Sequence, residues 1–188
     1  MALFTRAPLL CAAFFAIAPL LICALVEDEM NIPLYIHQVS SGAGTNQAVV
    51  VQGSSDSFGT TAVTDWPVLD GPPADPSAKV VGRARGFHML ASPQAEYSWF
   101  TAMNLVFKDE SRYNGSTLAV IGTIPFSNEW SIVGGTGALS MARGIVKYTV
   151  DPSASINGKR LYKILVHVVC VNTGCNCNTK TSEPIVKN

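Results

Sequence analysis

Charge is scarce in this sequence, and the positive charge is not gathered into runs. The 188 residues include 13 lysines and arginines and 13 aspartates and glutamates, a formal net charge of zero at pH 7. Nucleic acids and anionic membrane surfaces attract proteins through concentrated basic residues. We therefore expect neither nucleic acid nor a membrane surface as a partner.

Motifs of the common catalytic classes are absent as well. The sequence contains no serine-nucleophile elbow, no metal-binding histidine pair and no Walker-type phosphate loop. The glycine-rich segment Val133 to Gly137 lacks the Gly-Lys-Ser/Thr ending of a phosphate loop, and no helical pattern follows it. We expect its glycines to allow a positive φ or a β-bulge between two strands. The sequence accordingly predicts no metal and no cofactor.

The one long apolar run lies at the N-terminus. After the basic Arg6, residues Leu9 to Val26 carry no charge, and Ala24 offers a cleavage point. This pattern is typical of a secretory signal peptide, which we predict over residues 1–24. An uncleaved membrane anchor is the alternative, because the run approaches the roughly 20 residues that span a bilayer. Pro19 and the terminal position favour the signal peptide, and cleavage leaves a secreted chain with no membrane segment.

Cysteines are few once the leader is removed. Cys170, Cys175 and Cys177 remain, all near the C-terminus. Three cysteines cannot all pair within one chain, so in an oxidising compartment one is left free or bridges two chains. The Cys-x-Cys step suggests a metal site, but no fourth ligand with suitable spacing follows it. We predict a flexible cysteine-containing tail over residues 172–188.

Between leader and tail, short apolar or alternating runs are separated by clusters of glycine, proline, asparagine, aspartate and serine. No long amphipathic helix is visible. The predicted strands are Leu34 to Val39, Ala48 to Gln52, Phe58 to Leu69, Val80 to Leu90, Tyr97 to Phe107, Ser116 to Ile124, Leu139 to Val150 and Leu161 to Val171. Eight strands with turn signals between them predict an all-β barrel or sandwich.

The last predicted strand alternates most clearly. One face is apolar, with Tyr162, Ile164, Val166 and Val168, and the other mixes Lys163 and His167 with Leu165 and Val169. Apolar side chains on both faces indicate burial on both sides. A barrel that packs against a partner subunit has this pattern, and an eight-stranded barrel is wide enough to hold a small ligand.

Several segments resemble plant dirigent proteins, in one order along the chain. They are Phe58-Gly59, Asp65, Asp70-Gly71-Pro72, Val81 to Phe87, Tyr113 to Leu118, Val133 to Gly137 and Met141 to Gly144. The resemblance implies an eight-stranded antiparallel up-and-down β-barrel of the dirigent or allene-oxide-cyclase type over residues 30–171. It also implies a homo-oligomer, either a trimer or a dimer, that is secreted to the plant apoplast.

The resemblance implies a function too. Dirigent proteins steer phenoxy radicals, supplied by a separate oxidase such as a laccase or peroxidase, into one stereoisomer of a coupled product such as a lignan. The physical basis is orientation, because the barrel holds two radicals so that one pair of faces meets. We therefore expect a non-oxidative stereochemical guide for monolignol-like phenols rather than an enzyme with its own oxidant.

The chain departs from the family at two acids. Lignan-forming members carry a His-Asp pair on the first strand, which appears here as His37-Gln38, and the second acid position appears as Ile124. The missing acids favour an alternative function. In that alternative the protein is a non-catalytic, defence-related binding protein that recognises a glycan, a glucosidase or another cell-wall component.

Three segments resemble a grass subgroup of the family, in which a jacalin-like lectin domain often follows the barrel. They are Leu34 to Gln38, Thr64-Asp65-Trp66 and Glu129 to Val133. We expect no lectin domain in this chain, because too few residues follow Val171. The pocket chemistry of either branch therefore cannot simply be transferred.

Five polar side chains remain as candidates for the pocket or an interface. His37 is expected either to line the cavity or to form hydrogen bonds at the barrel mouth, and His88 is a second pocket candidate. Asp65 could supply the missing acid, although an aspartate that caps a turn is more common. Arg83 and Arg143 are pocket or interface candidates, and strand alternation favours outward salt bridges.

Two further features complete the predictions from sequence. The sequon Asn114-Gly115-Ser116 predicts glycosylation of Asn114 on a surface turn. Trp66, Trp99 and Trp130 could stack on phenolic rings, although most of the aromatic side chains are expected to form the core.

Overall fold

The structure is a computed structural model that describes most of the chain between the leader and the tail. The described residues are 27–92, 98–108, 111–125 and 127–171. The predicted signal peptide, residues 1–24, and the predicted tail, residues 172–188, lie outside them. Within the described ranges, no helix has the length and apolar character needed to cross a bilayer.

Nine strands and one 3-10 turn form in the described part of the chain. The strands are β1 (Glu27–Val39), β2 (Gln47–Val51), β3 (Thr61–Leu69), β4 (Val80–Leu90), β5 (Trp99–Phe107), β6 (Thr117–Ile124), β7 (Glu129–Thr136), β8 (Arg143–Asp151) and β9 (Lys159–Val171). The 3-10 turn, Gly137–Leu139, connects β7 to β8. Every pairing between strands is antiparallel.

Eight of these strands close a barrel. Strands β3 to β9 pair in chain order, and β9 pairs with β1 along its whole length. The ring closes where Tyr35 and Ile36 of β1 pair with Leu69 and Val68 of β3. The predicted eight-stranded antiparallel barrel is confirmed.

Strand β2 lies outside the ring, although the sequence pattern predicted it as one of the eight. It pairs with the first half of the β3 edge, where Gln47 lies opposite Thr64, while β1 occupies the second half. Asn46 joins the two strands, because its side chain accepts a hydrogen bond from Val39 N and donates one to His37 O. Two successive segments therefore share one edge of β3.

Strand β7 was not predicted, because its glycines resembled a turn. Gly134 and Gly135 belong to the strand, and the register with β6 shifts so that Val133 is an extra residue opposite Ala119 and Val120. This is a β-bulge, and Gly137 just beyond it has φ of +62°. Both conformations expected of the glycine-rich segment are present. The predicted strand from Leu139 instead begins at Arg143.

Inward-facing residues of the eight ring strands fill the barrel with apolar side chains. On β9 the buried series is Tyr162, Ile164, Val166 and Val168, each at most 3% exposed. At one end, the rings of Phe107 and Tyr113 lie 5.3 Å apart, and the Tyr113 hydroxyl donates to Met30 Sδ. The opposite end, where β1, β4, β6 and β8 finish, opens into a cavity.

Candidate functional site

A cavity of ≈ 420 Å³ opens at that end of the barrel. Its volume lies in the range of small-molecule sites. The side chains that matter for its chemistry come from five strands: Gln38, Gln47, His88, Trp99, Arg160 and Tyr162. Because the strands of a closed barrel hold one another in register, these side chains project from a rigid frame.

The cavity wall is aromatic. The His88 and Trp99 rings lie 4.8 Å apart, and Trp66, fully buried behind them, meets His88 edge-on at 5.4 Å. Trp66 also stacks on Tyr162, with ring centroids 6.2 Å apart and an angle of 18° between the planes. Such a wall offers ring faces and ring edges to another aromatic ring.

A chain of hydrogen bonds fixes the polar part of the wall. Trp66 Nε1 donates to Gln47 Oε1 at 3.2 Å, and Gln38 Nε2 donates to the same oxygen at 2.8 Å. The Tyr162 hydroxyl donates to Gln38 Oε1 at 3.0 Å. An indole N–H can only donate, so Trp66 determines the orientation of the Gln47 amide, and Gln47 in turn determines that of Gln38. The wall therefore has one hydrogen-bonding arrangement.

His88 faces the cavity as a neutral imidazole. Burial, with a smaller contribution from the charge of Arg160, lowers its pKa from 6.5 to about 4. Within the described part of the chain its ring makes aromatic contacts and no hydrogen bond. At neutral pH it can offer one donor and one acceptor nitrogen to a bound molecule.

The structure places His37 and Asp65 outside the cavity, which corrects their candidacy for the pocket. His37 alternates with the inward-facing Ile36 and Gln38, so it lies on the outer wall, and Asp65 likewise precedes the inward-facing Trp66. Burial and then the charge of Lys159 lower the pKa of His37.

Asp65 forms an ion-pair cluster on the outer wall. Its carboxylate accepts hydrogen bonds from Arg83 Nε at 2.8 Å and Arg85 Nε at 3.0 Å. The hydrogen bond from Arg83 contributes most to lowering the Asp65 pKa to about 2. An acid that stays ionised on the outer surface cannot protonate a molecule inside the barrel. Arg143 also faces outward and binds Glu27 at 2.6 Å.

The comparisons with known proteins agree with this architecture. The family model of dirigent-like proteins matches residues 29–169. The chain belongs to the dirigent-like protein family. Pterocarpan synthase 1 of Glycyrrhiza echinata is 32% identical over 137 residues, covering 66% of this chain and 71% of that protein. Dirigent protein 1 of Arabidopsis thaliana is 39% identical over 127 residues, covering 63% and 67%.

A solved structure shows the same fold. The pterocarpan synthase dirigent protein GePTS1 superposes with a TM-score of 0.66 at 28% identity, covering 76% of this chain and 85% of that one. The family and the barrel inferred from the motifs are therefore confirmed.

In this dirigent-like protein, both positions expected to carry a family acid lie at the cavity without one. Gln38 is held by Tyr162 and Gln47, and Ile124 contributes an apolar side chain to the rim. Among the described residues that line the cavity, none is a carboxylate, whereas Lys159 and Arg160 bring two positive charges. The described ranges also contain no group of three histidine, cysteine, aspartate or glutamate side chains suited to a metal ion.

Three residues of the site were missed from the sequence. Gln47 lies on β2 and has no signal of its own, because its role depends on where β2 pairs with β3. Arg160 and Lys159 begin β9, and Arg160 falls on the same alternating face as Tyr162. The period-two rule applied one step further would have placed Arg160 at the barrel mouth.

Proposed function

We propose that this dirigent-like protein binds phenolic rings in the barrel-mouth cavity and steers their radicals to couple with one stereochemistry. A separate laccase or peroxidase supplies the radicals. The observation that carries the proposal is the rigid aromatic wall of His88, Trp99 and Tyr162, backed by Trp66 and fixed by the amide chain. Such a wall holds a ring in a defined orientation.

Stereochemical control of this kind does not require a cavity acid. A tenfold preference for one product corresponds to a barrier difference of about 1.4 kcal/mol. One aromatic contact or one hydrogen bond contributes roughly that much. The replacement of the acids by Gln38 and Ile124 therefore weakens the case for proton transfer and leaves the case for orientation intact.

The replaced acids also support a second candidate, a defence-related protein that binds a glycan, a glucosidase or another cell-wall component without chemistry. Coupling of coniferyl alcohol by a one-electron oxidant separates the two. We expect one enantiomer of the coupled products to increase with protein concentration, as measured by chiral chromatography. Racemic products at every protein concentration would instead favour the binding protein.

Two valines of β2 provide a matched pair for that experiment. Val49 lines the cavity, whereas Val50 is not among its lining residues, and both side chains are more than half exposed. We expect Val49→Trp to narrow the mouth and reduce the enantiomeric excess, while Val50→Trp leaves it unchanged. Equal effects of both variants on the enantiomeric excess would show that the stereochemistry of coupling is controlled outside this cavity.

We also propose secretion to the apoplast and glycosylation of Asn114. Asn114 is exposed in a tight turn, where its backbone N–H donates to Ser111 O, and Gly115 follows with φ of +74°. A glycan on this turn would project away from the barrel. The position supports the modification that the sequon predicts.

An apolar stripe on the outer wall supports the proposal of a homo-oligomer. Four apolar residues lie directly opposite one another across β3, β4, β5 and β6, namely Val63, Phe87, Ala102 and Ile121. Val63, Phe87 and Ile121 are each about 40% exposed, at 42%, 40% and 38%. A contiguous apolar patch of this kind marks an interaction surface.

Charge placed in the stripe should therefore separate the subunits. We expect Phe87→Glu to shift the protein from oligomer to monomer in light scattering coupled to size exclusion, because burying an unpaired carboxylate is unfavourable. Phe58→Glu is the control, since Phe58 is equally exposed, at 45%, in the loop before β3. An oligomer unaffected by Phe87→Glu would place the interface elsewhere.

A further inference from the structure

Arg160 is one of the two cationic residues that line the barrel-mouth cavity among the described residues. It shares the inward-facing side of β9 with Tyr162, and it lies directly opposite Gln38 in the pairing of β9 with β1. Gln38 stands where lignan-forming relatives are expected to carry an acid. Arg160 therefore has the amide of Gln38 as its neighbour across the two strands. A carboxylate at that position would form an ion pair with it.

The charge of Arg160 has no carboxylate partner within the described ranges. Arg83 and Arg85 bind Asp65, and Arg143 binds Glu27, all on the outer wall. No carboxylate of the described residues lies within ion-pair distance of Arg160, nor of its neighbour Lys159. Both cations that line the cavity are thus available to an external negative charge.

Arg160 is exposed at the rim of the cavity, and its charge is close enough to act on two side chains of the wall. It contributes to the lowered pKa of His88 and, through a hydrogen bond, opposes the burial that raises the pKa of Tyr162. Both effects agree with the place of Arg160 among the residues that line the cavity.

We propose that the cavity selects aromatic acids, with the ligand carboxylate bound by Arg160 and the ring held against Tyr162, His88 and Trp99. This rests on the proposed function, since it names the chemical class that the same cavity takes. A guanidinium binds a carboxylate through two parallel hydrogen bonds, which fixes direction as well as position. Lys159 adds a second positive charge at the rim.

The amide at position 38 is what leaves this charge available. A carboxylate there would neutralise Arg160 and repel an acidic ligand. The Gln38 side-chain oxygen instead accepts a hydrogen bond from Tyr162, and its nitrogen donates one to Gln47. Gln38 therefore does not neutralise the guanidinium of Arg160.

Ferulate and coniferyl alcohol test this directly, because they share one ring and differ in a carboxylate against a neutral alcohol. We expect calorimetric titration of the protein at pH 7 to show ferulate binding roughly ten- to a hundredfold more tightly, as expected of a charge-assisted contact. Added salt should weaken the binding of ferulate and leave that of the alcohol unchanged.

Three variants assign the preference to Arg160. Arg160→Gln should abolish it, and Gln38→Glu should abolish it by supplying an internal carboxylate of the same size. Lys163→Gln removes the same charge from the outward face of the same strand, where Lys163 lies 3.8 Å from Asp151, and should retain the preference. Circular dichroism of each variant reports whether the barrel is folded.

The outcomes are distinct. Equal affinity for the two probes in the unmodified protein would overturn the inference and leave the proposed binding of phenols standing. A preference that Lys163→Gln reduces as much as Arg160→Gln would also overturn it, because general charge would then explain the result. Failure of both probes to bind would overturn the proposed function and the inference together.

Discussion

The folded protein should lose up to about 3 kcal/mol of unfolding free energy as the pH falls from 6.5 to about 4, through His88 alone. The unfolded chain takes up a proton on this histidine near pH 6.5, whereas the folded chain resists protonation until about pH 4. Stability is therefore full above the unfolded pKa and is lost as the pH falls through that window. Burial of the ring against Trp66 and Trp99 is the main cause.

Urea unfolding at pH 7, 5.5 and 4, followed by tryptophan fluorescence, measures this loss. Carboxylates also titrate toward pH 4, so the informative quantity is the difference between the unmodified protein and His88→Gln. The variant should show a flatter dependence on pH. His167→Gln is the control, because His167 lies on the outer face of β9 beside Asn31 and Glu29. Parallel curves for His88→Gln and the unmodified protein would contradict the prediction.

Much of the fold was accessible from local patterns, but its closure was not. Alternation along Leu161 to Val171 correctly separated the buried face from the outer face, because that pattern depends only on the period of a strand. The same patterns were compatible with both a barrel and a sandwich, and the family resemblance was needed to favour the barrel. Closure depends on β1 meeting β3, a contact between distant segments that no local pattern contains.

The two errors in strand assignment have the same origin. Ala48 to Gln52 looks like any other strand, yet it lies outside the ring because β1 already occupies the rest of the β3 edge. Gly134 and Gly135 look like a turn, yet they extend β7 because pairing with β6 tolerates a bulge at Val133. In both cases tertiary pairing outweighed local preference.

The candidate site was predictable in part. His88 was a pocket candidate, and the structure places it in the cavity wall. His37 and Asp65 each alternate with inward-facing neighbours, so strand period alone argued against a place in the cavity. The cavity itself arises only when residues of seven strands meet at one end of the barrel. Its positive character comes from Lys159 and Arg160, with no carboxylate among the described residues that line it.

Gly122→Ala should destabilise the barrel by about 1–3 kcal/mol, the usual range for adding a methyl group to a packed core. A Cβ at Gly122 would overlap Trp130 Cδ1 and lie 3.0 Å from Trp130 Cγ and 3.1 Å from Glu129 O. Trp130 has little room to move, since it is 1% exposed and stacks on Tyr148 with ring centroids 4.6 Å apart. The glycine is required because the indole lies directly over it.

Gly134→Ala is the matched control, on the strand that pairs with β6. A Cβ there would meet nothing within 4 Å, and Gly134 has no positive φ to strain an alanine. Urea midpoints for both variants, read from tryptophan fluorescence, should show a large decrease for Gly122→Ala and almost none for Gly134→Ala. Because the Trp130 ring also lies 6.2 Å from that of Tyr162, a displaced indole should disturb the cavity wall and weaken phenol binding. Equal urea midpoints for the two variants would mean that Trp130 repacks freely. The cavity wall would then be less rigid than its contacts indicate.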